Sequence, residues 1–87
     1  MIQVVALLSR ATPTLVAQTR ADNGVIVETT LRNGRFEVSV IWRERLLNHV
    51  IEKTPFIAGR LHEMFFTAWS QATESNLLDE SADAPNV

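Results

Sequence analysis

His49 and His62 are the only two histidines in the 87-residue chain. They stand too far apart to share a helix face as a His-x-x-x-His pair would. Their immediate neighbours, Asn48 and Glu63, point away from them on a helix, so neither imidazole has a partner at ligand or general-base spacing. Both read as surface histidines. Ser9, Ser39, Ser70, Ser75 and Ser81 lie in no motif that activates a hydroxyl. With no cysteine there is no thiol nucleophile, thiolate metal site or disulfide.

Glu28 and Glu37 are the most plausible carboxylate pair. They fall among Thr30, Arg32 and Arg35 on one side of a hairpin, where acids and bases form a solvated charge lattice. Acid–base chemistry on a glycoside needs two carboxylates flanking a cleft, and the pattern offers none. Of the three glycines, two belong to hairpin turns and one to a helix, which leaves none for a phosphate cradle. The expectation is a protein without catalysis, cofactor or metal.

Seven of the eight basic residues are arginine. Arg20, Arg32 and Arg35 share one sheet face, and Arg43 and Arg45 could extend a basic strip; guanidinium groups grip phosphate bidentately. A nucleic-acid-binding regulator is therefore the alternative reading. Against it, Glu28, Glu37 and Glu44 interleave with these arginines, and that face has no aromatic ring on which a base could stack. All eight basic residues lie between Arg10 and Arg60 with five acids among them, while the other five acids follow from Glu63. The middle is thus about +3 and the end −5, which fits a basic contact surface followed by an acidic tail.

The elements that must position these groups are set by residues 24–42. Asn33-Gly34 between two alternating runs is a two-residue hairpin turn, since both residues tolerate the positive φ such a turn needs. Arg32 then faces Arg35, Leu31 faces Phe36, Thr29 faces Val38, Val27 faces Val40 and Val25 faces Trp42. The last four pairs form the core side. Ile26, Glu28, Thr30 and Arg32 share the other side with Arg35, Glu37, Ser39 and Ile41. A one-residue slip would turn Leu31, Val27 and Val25 to water.

Residues 14–21 form a preceding strand, joined through the three-residue loop Asp22-Asn23-Gly24. It pairs Ala21 with Val25, Thr19 with Val27, Ala17 with Thr29 and Leu15 with Leu31. Residues 1–9 fit a short strand or an uncapped helix almost equally, and the β-branched residues favour the strand. They lack a basic residue ahead of the apolar run and are too short to span a bilayer, so they read as neither signal nor anchor.

After Trp42 the spacing of Leu46, Leu47, Val50 and Ile51 predicts a helix over residues 43–53. Thr54-Pro55 is an N-cap followed by Pro at the first helical position and starts a second helix, residues 55–73. Its core stripe is Ile57, Ala58, Leu61, Met64, Phe65, Ala68 and Ala72, with Trp69 at the edge. Phe66 falls on another side with His62. Residues 1–75 form one domain. Residues 76–87 read as a disordered acidic tail, with a last contact from Leu77 and Leu78.

The expectation is an α+β domain of the small bacterial kind, with a meander of three or four antiparallel strands and two helices on one face. It leaves one sheet face uncovered, which points to a cytoplasmic protein-binding module that forms a homodimer and does not touch membranes. The contact residues are Ile26, Ile41, Arg32 and Arg35 on the open sheet, or His62 and Phe66 on the second helix.

Overall fold

The computed structural model describes residues 12–83, with side chains described as far as Asp79. Strands β1 (Thr14–Arg20), β2 (Ile26–Arg32), β3 (Arg35–Trp42) and β4 (Arg45–Glu52) precede helices α1 (Pro55–Trp69) and α2 (Glu74–Asp83). The sheet is an antiparallel meander in the order β1-β2-β3-β4. The chain is therefore α+β, with both helices packed against the sheet. The expectation for residues 1–9 lies outside the described residues.

Asn33 and Gly34 take φ values of 54° and 74°. β2 and β3 pair in the expected register from Arg32↔Arg35 to Val27↔Val40. The alternation sends Val25, Val27, Thr29, Val38, Val40 and Trp42 into the buried side. In the loop before β2, the Ala21 N–H donates to the Val25 carbonyl at 2.8 Å and the Gly24 N–H to the Ala21 carbonyl at 3.0 Å. Gly24, at φ 93°, supplies the left-handed position. β1 departs from its expected register at one place: Val16 is an extra residue, so Leu15 pairs with Thr30 rather than Leu31.

The helix expected over residues 43–53 is instead strand β4. The turn that starts it is Arg43-Glu44, with φ 51° and 65° at residues that rarely adopt positive φ. One local and one tertiary contact accompany it: the Arg43 guanidinium lies 4.2 Å from the ring centre of the adjacent Trp42 and pairs with Glu74 at 2.9 Å. The helical spacing arises from a bulge. Leu47 is the extra residue opposite Val40 and Ile41, so Leu46 turns to the open face beside Ile41 while Leu47 packs on the core. Val50 then pairs with the buried Val38, and Ile51 with Glu37 on the open face. A two-sided bulged strand thus mimics the i, i+1, i+4, i+5 pattern of a helix. Because Glu44 carries backbone strain that glycine would not, Glu44→Gly is expected to raise stability by about 0.5–1 kcal/mol. Thermal unfolding followed by far-UV circular dichroism would register this as a few degrees in Tm.

α1 starts where Thr54-Pro55 predicts, with Thr54 extended at φ −95°, ψ 122° and Pro55 in the first turn. It ends at Trp69 rather than near Thr73. Thr73 instead opens α2: its Oγ1 accepts the Asn76 N–H at 3.2 Å. α2 carries the chain through much of the segment expected as a disordered tail, and its Leu77 is 1% exposed within the core.

The inward face of α1 is rotated from the expected stripe. Ala58, Leu61 and Phe65 face the core as anticipated, but so do His62, Phe66 and Trp69, while Ile57, Met64 and Ala68 are exposed. This helix is apolar over most of its circumference, so hydrophobicity does not choose a face. The sheet chooses it, because the buried hydroxyl of Thr29 needs a polar partner under the helix.

Candidate protein-binding face

The sheet face opposite the helices carries four cross-strand rows. The first is Arg20, Ile26, Ile41 and Leu46; the second is Gln18, Glu28, Ser39 and His49. The third is Leu15, Thr30, Glu37 and Ile51, and the last is the pair Arg32 and Arg35 beside the Asn33-Gly34 turn. Ile26 and Ile41 come together as the sequence implied. Leu46, 55% exposed, continues their row, and Leu15 and Ile51 add further exposed apolar surface. Leu46 and Ile51 escape the sequence reading because it places them on a helix. The signal that could have found them is the β-branched content of the segment set against its missing N-cap.

The middle of this face is a hydrogen-bonded lattice. Gln18 Nε2 donates to Glu28 Oε2 at 2.7 Å, and Arg20 Nε donates to Gln18 Oε1 at 3.3 Å. Glu37 receives Arg32 Nη2 at 2.7 Å on one oxygen and lies 3.4 Å from His49 Nε2 on the other. The hydrogen bond from Arg32 holds the Glu37 carboxyl below its ordinary range, with His49 contributing and partial burial opposing. These groups are paired across strands, as exposed charges on a sheet usually are.

His62 is placed differently from its expectation as an exposed contact. It is 7% exposed, on the helix-covered side of the sheet. Its Nδ1 lies 2.7 Å from Thr29 Oγ1 and its Nε2 2.9 Å from Thr19 Oγ1. A neutral imidazole offers one donor and one acceptor, and each hydroxyl can serve either role, so the trio satisfies itself. Burial pushes the His62 pKa down, with the charge of Glu63 opposing. Phe66 likewise packs on the core. The partner surface expected from His62 and Phe66 is therefore not assembled on α1.

The two histidines lie on opposite sides of the sheet, so His49 stands among Glu28 and Glu37 while His62 does not join them. No group of three or more acidic or histidine side chains able to hold a metal is found among the described residues. The arginines also divide. Arg20 stands at one end of the open face and Arg32 and Arg35 at the other, about 20 Å away along β2. Arg43 is engaged by Trp42 and Glu74, and Arg45 pairs with Trp42 on the other side of the sheet.

Beside the helices, a groove of about 460 Å³ runs between β1 and the start of α1. Val16, Ala17, Phe56, Gly59 and Arg60 line it, with Thr29 and His62 at its floor. No helix among the described residues is long and apolar enough to cross a membrane. Comparison with known proteins adds no relative: no family model, no curated protein and no solved structure matches the chain.

Proposed function

We propose that this chain is a non-enzymatic protein-binding domain that pairs with a second copy of itself through the open sheet face. The observation that carries the reading is the apolar row Ile26, Ile41 and Leu46, which crosses three strands on a face without a covering helix among the described residues. Arg20 flanks that row, and the next row holds Glu28. On a two-fold axis such a face can set the arginine of one copy against the acid of the other, as a self-complementary interface requires. The absence of cysteine suits a reducing cytosol.

The face measures roughly 20 Å by 20 Å, small beside the ~800 Å² that each partner of a standard interface buries. Association is therefore expected to be reversible and concentration-dependent. Sedimentation velocity over a concentration series should show a monomer–dimer equilibrium that Ile41→Glu or Leu46→Glu weakens at least about tenfold, because each buries a charge in the pair's apolar row. An unchanged equilibrium in both variants, with native circular dichroism, sinks the proposal. Nucleic-acid binding is the weaker alternative, since the open-face cations are divided between opposite ends and interrupted by Glu28 and Glu37. Under that alternative, binding falls steeply with salt and drops on Arg32→Ala and Arg35→Ala.

A further inference from the structure

The chain contains two Asn-Gly dipeptides, Asn23-Gly24 and Asn33-Gly34. Asparagine is a thermolabile residue, and a glycine after it, having no Cβ, lets the next backbone nitrogen approach the asparagine side chain most closely. That nitrogen can attack Cγ of the side chain. The two sites share the local sequence for this reaction, and the fold treats them in opposite ways.

Asn23 is half-buried and held at both ends of its amide. Its Nδ2 donates to the Trp69 and Ala72 carbonyls, and its Oδ1 accepts the Val25 N–H. The attacking atom is engaged as well, since the Gly24 N–H donates to the Ala21 carbonyl at 3.0 Å. Reaction there requires these four bonds to break and the loop to separate from α1.

Asn33 and Gly34 are both exposed. Among the described residues, neither the Asn33 side chain nor the Gly34 N–H has a hydrogen-bond partner. Apart from its chain neighbours, no atom stands within 4 Å of where a Cβ on Gly34 would lie. The turn sits beyond Arg32↔Arg35, the last pair of the hairpin, so only a strand end must fray for the attack. The two flanking guanidinium groups favour the amide anion that attacks.

We propose that Asn33 is a site of spontaneous deamidation in the folded protein and that the fold protects Asn23. The Gly34 nitrogen gives its proton to hydroxide and forms a bond to Asn33 Cγ. The side-chain nitrogen takes a proton from water and leaves as ammonia. Water then opens the resulting succinimide at either carbonyl, which leaves aspartate or isoaspartate at position 33. Either product places a carboxylate between Arg32 and Arg35, and isoaspartate also adds a methylene to the backbone of a two-residue turn. The site stands independently of the dimer reading.

Ageing the folded full chain in mildly alkaline buffer tests it. Cleavage after glutamate separates the sites: residues 1–28 contain Asn23 as their only asparagine, and residues 29–37 contain Asn33. Mass spectrometry should find the amide replaced by an acid at least about tenfold faster at Asn33 than at Asn23, with isoaspartate among the products. In guanidinium chloride, where the ties of Asn23 are gone, the two sites should react at similar rates. Equal rates in the folded chain overturn the proposal, as does an Asn33 that stays intact when folded yet reacts when unfolded. A tenfold difference that persists in denaturant overturns the structural cause.

Discussion

Replacing Asn23 with alanine is expected to destabilise the domain by about 3 kcal/mol, although Asn23 lies in a three-residue loop. Its Nδ2 donates to the carbonyl of Trp69, the last residue of α1, at 2.9 Å and to that of Ala72, in the connection to α2, at 3.0 Å. Its Oδ1 accepts the Val25 N–H at 3.0 Å, and its own carbonyl accepts Trp42 Nε1 at 3.2 Å. One side chain thus ties the β1–β2 loop to the α1 terminus, whose last carbonyls have no partner within the helix. Alanine removes three bonds, each worth about 0.5–1.5 kcal/mol, and takes these partners from the part-buried Ala72 carbonyl and Val25 N–H, while the Trp69 carbonyl keeps the Ala72 N–H at 3.1 Å. Asn23→Asp should cost at least as much, because a carboxylate accepts the Val25 N–H but repels both carbonyls. Urea unfolding followed by tryptophan fluorescence is the measurement, with Trp42 and Trp69 both beside the loop. A midpoint unchanged from the parent in both variants would show that the loop does not hold the helix.

The second large effect concerns His62. His62→Leu is expected to cost about 2–3 kcal/mol, because the buried Thr29 hydroxyl loses its partner while the shape is roughly kept. Adding Thr29→Val to that variant should restore part of the loss, since removing both polar partners is far less costly than removing one. The same residue gives the parent a specific response to acid. Burial lowers the folded-state pKa of His62 below its ordinary 6.5, so near and below pH 6.5 the unfolded chain binds a proton that the folded chain does not. Stability therefore falls as pH drops through 6.5 towards the folded-state value and, from this group, falls no further below it. Glu37 acts in a lower window: its folded pKa is depressed from 4.5, so its contribution is present above that value and is lost as pH falls below it. Equilibrium unfolding at pH 7.5, 6.5 and 5.5 separates the two. The parent should lose stability across this series and His62→Leu/Thr29→Val should not; equal slopes would remove His62 from the account.

Asn23 and His62 differ in how far local sequence determines their surroundings. Asn23 was recognisable as a loop residue beside Gly24, because backbone conformation is a local property. Its hold on Trp69 and Ala72 joins residues nearly fifty positions apart, and no local pattern carries that. His62 looked like a surface histidine because its neighbours in sequence are Leu61 and Glu63. What determines its surroundings is the pair of threonines on β1 and β2.

The central hairpin was fully determined by its own residues. Asn33-Gly34 admits one turn geometry, and alternation then commits Val25, Val27, Thr29, Val38, Val40 and Trp42 to one side and Ile26 and Ile41 to the other. The Asp22-Asn23-Gly24 loop and the Thr54-Pro55 helix start were legible for the same local reason. Only the tertiary structure decided β4, the inward face of α1 and the fate of residues after Thr73. Arg43 and Glu44 enter a left-handed turn in which Trp42 and Glu74 receive the arginine, and the segment after them is a strand because it pairs with β3 through a bulge. α1 turns His62 inward because the buried Thr29 hydroxyl waits beneath it, and Leu77 makes α2 part of the core. In each case local preferences were nearly balanced, and contacts between distant segments tipped them.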